Sequence, residues 1–524
     1  MFSIAEVVRE AAKARPDAPA VSGQGRPSTF AEIDRRSSRV AAGLHAFGVR
    51  RGDRVAYAGL NRTDALDIIA GVSKTGAVPV PLNFRLAGPE LAAVLADSGA
   101  VVLFAEPGQA AAVEAHRAML PDLRHVVLLP STEASSSGGA PGDYDAWLAE
   151  QPEADPNVGA EPDELACLLY SSGTTGLPKG VMIRNRNLLS MLDVARGRWQ
   201  LDPGDSSLNV SPYFHVLGFA WAIHSIRQGA TLAQVRDAAP QALLGMIAGE
   251  RVRVAVLVPV LIDVVLRSPG LDEADLSSLR LILYGSAPIS APVLVEATQR
   301  LGAAMEQSYG LTEVSGGATF LSPEDHDRAR DEPGLLRSCG RPDPSSELRI
   351  ADPATLQDLP AGQPGEVLIR SQQVMAGYWR RPEETAHSLL PGGWLRTGDI
   401  GYLDEERYLY LVDRAKDMIV SGGENIYPAE VERALIAHPL VAEVAVVGAP
   451  SAKWGESPVA VVVLEPAGEL TEEALIAWVR DRLAHYKCPV TVHFVDALPR
   501  NASGKVLRRV LREPLWDGHE RRVG

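Results

Sequence analysis

Cysteine is scarce in this sequence. Its 524 residues include three, Cys167, Cys339 and Cys488, far apart and odd in number. There is no CxxC pair and no Cys/His cluster, which argues against both a disulfide framework and a zinc site. No apolar run approaches the roughly 20 residues needed to span a bilayer. An excess of positive charge is missing too: 51 Lys and Arg face 66 Asp and Glu, for a formal net charge of −15. That balance argues against non-specific binding to nucleic acid or to an anionic membrane, although a local cationic pocket is compatible with it. The first residues, MFSIAEVVREAAKARP, have no apolar core of a secretion signal. They read as an amphipathic helix with a capping box from Ser3 to Glu6. The expectation is a cytoplasmic protein.

What is present is ordinary globular composition, 46% hydrophobic and 22% charged, over a length that implies more than one domain. Thr29-Phe30-Ala31-Glu32 predicts a second capped helix, ended by Gly48. Short apolar runs alternate with helical patterns: DRVAYAGL, VVLFAE, HVVLLP, LACLLYSS, VRVAVLVPV and LRLILYGSA. Continuous apolarity over so few residues predicts strands covered on both faces, as in parallel α/β sheets. Several of these runs end in Gly, Ser or Pro, where such sheets build their sites. The stretch Ser131 to Asp145 reads as a surface loop. From about Gly365 the character shifts to strands and tight turns, and beyond Asp413–Asp417 a compact αβ unit of helices and β-branched strands follows.

One segment buries almost nothing, and so asks for another purpose. After LLYS come Ser172, Gly173, Thr174, Thr175, Gly176, Leu177, Pro178, Lys179 and Gly180. Glycines let backbone N–H groups form an anion-binding nest, the hydroxyls can donate to phosphate or ligate Mg²⁺, and the lysine adds charge. The implied chemistry is a polyphosphate cradle. It is not a Walker A loop, because Pro178 precedes Lys179 and Gly180 follows, so the chain turns where that motif would start a helix.

The loop is followed in order by PYFHVLG (212–218), YGSAPIS (284–290) and QSYGLTE (307–313). GEVLIRSQQVMAGYW, WLRTGDIGYLDEERYLYLVDRAKDMIVSGGENIYPAEVE and LPRNASGKVLRR complete the series. Through this set the chain resembles the adenylate-forming superfamily, which includes acyl-CoA synthetases, peptide-synthetase adenylation domains and beetle luciferases. The resemblance covers nearly the whole length. It implies an α/β fold: a large N-terminal domain of several α/β subdomains, residues 1–415, and a small mobile α+β C-terminal domain, residues 416–524. It also implies the reaction acid + ATP → acyl-AMP + pyrophosphate, then acyl-AMP + CoA → acyl-CoA + AMP. ATP, Mg²⁺ and coenzyme A are the implied cofactor and substrates, with a small carboxylic acid as the further partner. Nucleic acid and a membrane span are not expected, and a homodimer is left open.

The resemblance also implies roles, each with a blander alternative. Lys505 bridges the substrate carboxylate and the α-phosphate; taken alone it is a solvated lysine. Glu313 ligates Mg²⁺, with Thr175 as a second metal ligand, and Thr312 faces the α-phosphate; taken alone Glu313 is an ion-paired surface residue. Ser171, Ser172, Gly173, Thr174, Thr175 and Lys179 hold the phosphates. Gly285, Ser286, Ala287, Pro288 and Tyr309 sandwich the adenine. Asp399 takes the ribose hydroxyls, though such an Asp alone reads as an Asx turn, and Arg414 also reaches the nucleotide. His215 lies at the acyl pocket near the carboxylate and is the one nearby candidate for a general base; taken alone it is a satisfied polar residue. Lys416 is the hinge, and Gly422, Gly423 and Glu424 line the pantetheine channel.

The acyl pocket further draws on Gly310, Ser315, Gly316 and Gly317. Small residues there predict free volume and therefore a bulky or apolar acid, so Gly317→Leu is expected to narrow the acids accepted. Three other readings share these motifs: loading of a trans-acting carrier protein, a half-enzyme that only thioesterifies an adenylate, and nucleotide binding without catalysis. Luciferase-type oxidation is not favoured by any motif.

Overall fold

The computed structural model describes all residues except 1–2, 24–25, 131–142, 172–177, 237, 288, 415–416, 422–423, 452–453, 467, 484, 501–505 and 518–524. For 143, 413–414, 420, 424–425, 455 and 486 only the backbone is described. The chain forms two compact units, Met1–Glu347 with Ile369–Leu395, and Leu348–Leu368 with Arg396–Gly524.

Local sequence chemistry starts the helices of the first unit. Ser3 Oγ accepts from Glu6 N at the head of helix Ile4–Ala14. The reciprocal bonds of Thr29 and Glu32 close the capping box of Phe30–Ala46. The large sheet has the strand order Arg341–Pro342, Gly316–Leu321, Ala304–Leu311, Leu281–Gly285, Val252–Leu257, Ser206–Asn209, Thr231–Gln234, Pro19–Gly23, Ser28–Thr29. The run from Ala304–Leu311 to Pro19–Gly23 is parallel throughout, and only the flanking strands are antiparallel. Leu208, Val252, Ala255, Ile282 and Met305 pack against Leu243, Ile247, Ile262, Leu294 and Ala297 of the crossover helices. Val254, Val256 and Leu283, which alternate with these residues along the strands, are buried as well, so the sheet is covered on both faces as the continuous apolar runs require.

A second, four-stranded parallel sheet is built from Val78–Pro81, Arg54–Ala58, Ala100–Ala105 and His125–Leu128. One apolar run departs from the parallel expectation. Leu165–Ser171 pairs antiparallel with Lys179–Arg184 in a two-stranded hairpin. Its Leu168 joins the core of the four-stranded sheet. Burial on both faces is what the apolar run encodes, and a hairpin laid on a neighbouring sheet satisfies it as well as a parallel ladder does.

In the second unit Trp394–Leu403 pairs antiparallel with Leu409–Arg414. A further sheet holds the long hairpin Val441–Ser451 and Gly455–Leu464, with Thr491–Phe494 parallel to its second strand. Alternate residues of that hairpin face opposite ways. Val446, Ala460 and Val462 meet Val431 and Leu435 of helix Pro428–Ile436 and Leu475 and Val479 of helix Glu472–Arg480. Ala445 and Val461 meet Leu498, with Val506 and Leu511 packed alongside. Among the described residues no helix is long and apolar enough to cross a membrane.

Candidate active site

Three of the motifs leave carboxyl ends of strands in the parallel part of one sheet, which is where open α/β sheets bind ligands. The first follows Ser206–Asn209. Buried Asn209 accepts from Ser211 N and donates to Gly218 O, and Asn61 donates to Ser211 O. Gly218 is required here, since a Cβ would lie 2.2 Å from Ser211 O. This fixes where helix Val216–Arg227 begins, with His215 at its N-cap. His215 is exposed as a residue, and its ring is flanked by Phe214, their centroids 4.4 Å apart. Desolvation, reinforced by Arg85, still lowers its pKa to about 4. The imidazole is thus neutral at pH 7. It is therefore a weak base. Titrated by NMR, the ring should show a midpoint near 4; a midpoint at or above 6.5 would contradict this environment.

The second motif follows Leu281–Gly285. Register pairs Gly285 with Ser308, so closely that a Cβ on Gly285 would sit 2.3 Å from Ser308 O. Ser286 then turns the chain with a φ of +68°, and Ser286 and Ala287 are exposed. They leave the strand beside Tyr309, which is buried in the neighbouring strand Ala304–Leu311. Pro288 lies outside the described residues.

The third motif supplies the most connected side chain. After Leu311 the chain makes one tight turn, Thr312–Val314, and reverses through Ser315 and Gly316 into Gly316–Leu321. Glu313 Oε1 accepts from Tyr378 Oη at 3.0 Å and from Ser171 Oγ at 3.4 Å, and Glu313 O accepts from Met375 N at 2.8 Å. Ser171 and Lys179 are cross-strand partners at the base of the hairpin, on either side of 172–177. Lys179 Nζ stands 5.2 Å from the Tyr378 ring centroid, within cation–π range. Both ends of the glycine- and hydroxyl-rich loop thus converge on Glu313 and Tyr378. Ser172, Gly173, Thr174 and Thr175 themselves lie outside the described residues.

Tyr378 is the residue that sequence reasoning left without a role, although it stands in the quoted MAGYW. Its segment lies along the strand Lys179–Arg184: Ala376 N donates to Met182 O, Met182 N to Gly377 O and Trp379 N to Gly180 O. Burial and the neighbouring Glu313 raise the phenol pKa, which keeps it a protonated donor. No three carboxylate, His or Cys groups converge among the described residues. A hard divalent cation at Glu313 would thus take most of its ligands from phosphate and water. One carboxylate with adjacent hydroxyls suits Mg²⁺ held in that way.

The expectation of free volume beyond Glu313 is corrected. Ser315 and Ala318 are fully buried, and Ser315 Oγ donates to Gln373 O at 2.7 Å. A Cβ on Gly317 would lie 2.2 Å from Ser308 Oγ and 2.7 Å from the Phe320 ring, and one on Gly310 1.7 Å from Gly316 O. A Cβ on Gly316, whose φ is +148°, would lie 3.0 Å from Met191 Cγ. Close pairing of Ala304–Leu311 with Gly316–Leu321 uses the space these side chains leave, so their smallness says nothing about the acid.

In the second unit Asp399 is buried inside strand Trp394–Leu403, not in a turn, and pairs in register with Arg414. Its N–H donates to Thr397 Oγ1 at 3.1 Å, and that hydroxyl donates to Val367 O at 2.7 Å. The side chains of Arg414 and Glu424, and residues Lys416, Gly422, Gly423 and Lys505, lie outside the described residues. The ends of the Lys505 segment are described: Arg500 bridges Val506, and Leu507 N donates to Pro499 O at 2.8 Å.

Comparison with known proteins gives the family. Residues 8–379 match the AMP-binding enzyme family, and residues 430–505 match the AMP-binding enzyme C-terminal domain. The chain is 37% identical to the fatty acid–[acyl-carrier-protein] ligase ScoC of Streptomyces coeruleorubidus, over 98% of this chain and 96% of that one. It is 38% identical to a feruloyl-CoA synthase of an Amycolatopsis species, over 96% of each. The crystal structure of ATP-bound MatB from Rhodopseudomonas palustris superposes with a TM-score of 0.88 at 31% identity, covering 98% of this chain and 100% of that one. The chain belongs to the AMP-binding enzyme family, in the acyl-CoA synthetase branch of the adenylate-forming superfamily, whose members are ATP-dependent, AMP-forming acid–thiol ligases.

Proposed function

We propose that this chain activates an apolar carboxylic acid as its adenylate and passes the acyl group to CoA. The observation that carries the reading is the convergence of Ser171 Oγ and Tyr378 Oη on Glu313 Oε1, with Lys179 Nζ over the Tyr378 ring. Carboxylate attack on the α-phosphate sets anion against anion. Two unit charges at 4 Å repel by roughly 1 kcal/mol in water and ~4 kcal/mol at an effective dielectric of 20. Cations must offset that and hold the attacking oxygen in line.

In this reading Ser171 to Thr175 and Lys179 cradle the phosphates. Gly285 to Pro288 and Tyr309 enclose the adenine, and Asp399 and Arg414 take the ribose side. Glu313 and Thr175 would hold Mg²⁺, which supplies positive charge to the phosphates when bound, and Thr312 faces the α-phosphate. Neutral His215 packs at the acyl recess. The small domain, residues 416–524, hinges at Lys416. It presents Lys505 for the first step and Gly422, Gly423 and Glu424 for the second. An apolar acid is supported by the relatives named for fatty acid and for ferulate.

Tyr378→Phe tests the carboxylate's support. Losing a hydrogen bond to a charged group costs about 1.5–3 kcal/mol. Adenylate formation should fall roughly 10-fold or more, with a higher Mg²⁺ requirement and weaker calorimetric MgATP binding. Unchanged binding and rate would remove Glu313 from the proposed metal role. A second reading, transfer to a carrier protein's pantetheine arm, is favoured by the ScoC likeness. Supplying CoA and a holo acyl-carrier protein in competition separates the two.

A further inference from the structure

Arg508 follows Lys505 by three residues, at the head of helix Arg508–Arg512. Its guanidinium reaches two other parts of the second unit. Nη2 donates to both oxygens of Glu432, at 2.8 and 2.7 Å, and Nη1 lies 3.7 Å from Asp417 Oδ2. Glu432 sits on helix Pro428–Ile436, which follows the 422–424 segment, and its Oε1 also accepts from Val446 N at 2.7 Å. Asp417 is the residue immediately after Lys416. The three side chains are only 24%, 15% and 15% exposed, so solvent screens them less than surface pairs. With Nη2 on Glu432 and Nη1 turned to Asp417, the rigid guanidinium plane spans two carboxylates at a fixed separation, which a single ammonium point charge does not reproduce.

We infer that Arg508 is a positioning residue for Lys505. It ties the chain just after the lysine segment to helix Pro428–Ile436, which follows residues 422–424 in sequence, and to Asp417, next to Lys416. The stem formed by Arg500 and Val506, with Leu507 bonded to Pro499, sets where the segment emerges. Arg508 holds the residues that follow it to Glu432 and Asp417. Without it, two carboxylates are left facing each other where the cation stood. The inference rests on the reading of Lys505 as the cation of the adenylation step.

The test measures pyrophosphate release without CoA, and CoA transfer from supplied acyl-AMP, in wild type, Arg508→Ala, Arg508→Lys, Lys505→Ala and the Lys505/Arg508 double alanine variant. Arg508→Ala should slow adenylation on the order of 10–100-fold, as a misplaced catalytic group does, and leave transfer within about threefold. Arg508→Lys should recover only part of the loss. In the Lys505→Ala background, Arg508→Ala should cost nothing further, because residues acting through one another are not additive. Equal loss in both half-reactions, or a full cost in the double variant, would make Arg508 a plain stabiliser of its domain and overturn the inference. Lys505→Ala without effect would instead sink the lysine reading itself. If Arg508→Ala does not fold, Glu432→Gln keeps an acceptor for Val446 N and must show the same split.

Discussion

Lys505→Ala is expected to slow acyl-adenylate formation by on the order of 10²–10³, the usual cost of removing a preorganised charge-stabilising group. Transfer of the acyl group from supplied acyl-AMP to CoA should remain largely intact, because in the proposed alternation Lys505 has left the site by then. The asymmetry is the informative part. A lysine that only stabilised its domain would weaken both halves together, and one that bound CoA would weaken the second. Single-turnover measurement of each half-reaction separates these outcomes, and equal losses would contradict alternation between two uses of the small domain.

The second large effect concerns the backbone beneath the motif ending in Glu313. Gly310→Ala should destabilise the protein severely. A Cβ cannot rotate away, and here it would lie 1.7 Å from Gly316 O, inside a bulged pairing of Ala304–Leu311 with Gly316–Leu321. Overpacking of side chains costs about 1–3 kcal/mol, and a clash with backbone has less freedom to relax. The variant should be insoluble or melt several degrees below wild type. Gly245 is the control: it lies on helix Pro240–Gly249, and a methyl group there would meet nothing within 4 Å. Gly245→Ala should therefore gain roughly 0.5–1 kcal/mol. Wild-type melting of Gly310→Ala would mean that the two strands are not paired this closely. The same crowding makes Gly317→Leu a folding variant rather than a probe of acid size.

Features with local causes were legible in the sequence. Thr29 and Glu32 spell a capping box and form one. The apolar runs become strands, and LRLILYGSA leaves its strand at Gly285 and Ser286 as its Gly and Ser ending suggested. What escaped depended on distant partners. LACLLYSS is as apolar as its parallel counterparts, and only its neighbour Lys179–Arg184 makes it half of a hairpin. Gly317 reads as empty space until Ser308 and Phe320 fill it. Tyr378 is 65 positions from Glu313, and no spacing rule connects a phenol in MAGYW with a carboxylate in YGLTE. Asp399 reads as a turn residue from TGDIG alone, yet the strand continues through it.

The most direct test of the central claim follows both half-reactions in one experiment. The purified protein is incubated with ATP, Mg²⁺ and a pool of carboxylic acids, with and without CoA, and the products are read by mass spectrometry. The account predicts acyl-AMP from an apolar acid in the absence of CoA, and its conversion to acyl-CoA with release of AMP when CoA is added. Failure of every acid to give an adenylate, with CoA-dependent conversion only of supplied acyl-AMP, would contradict it.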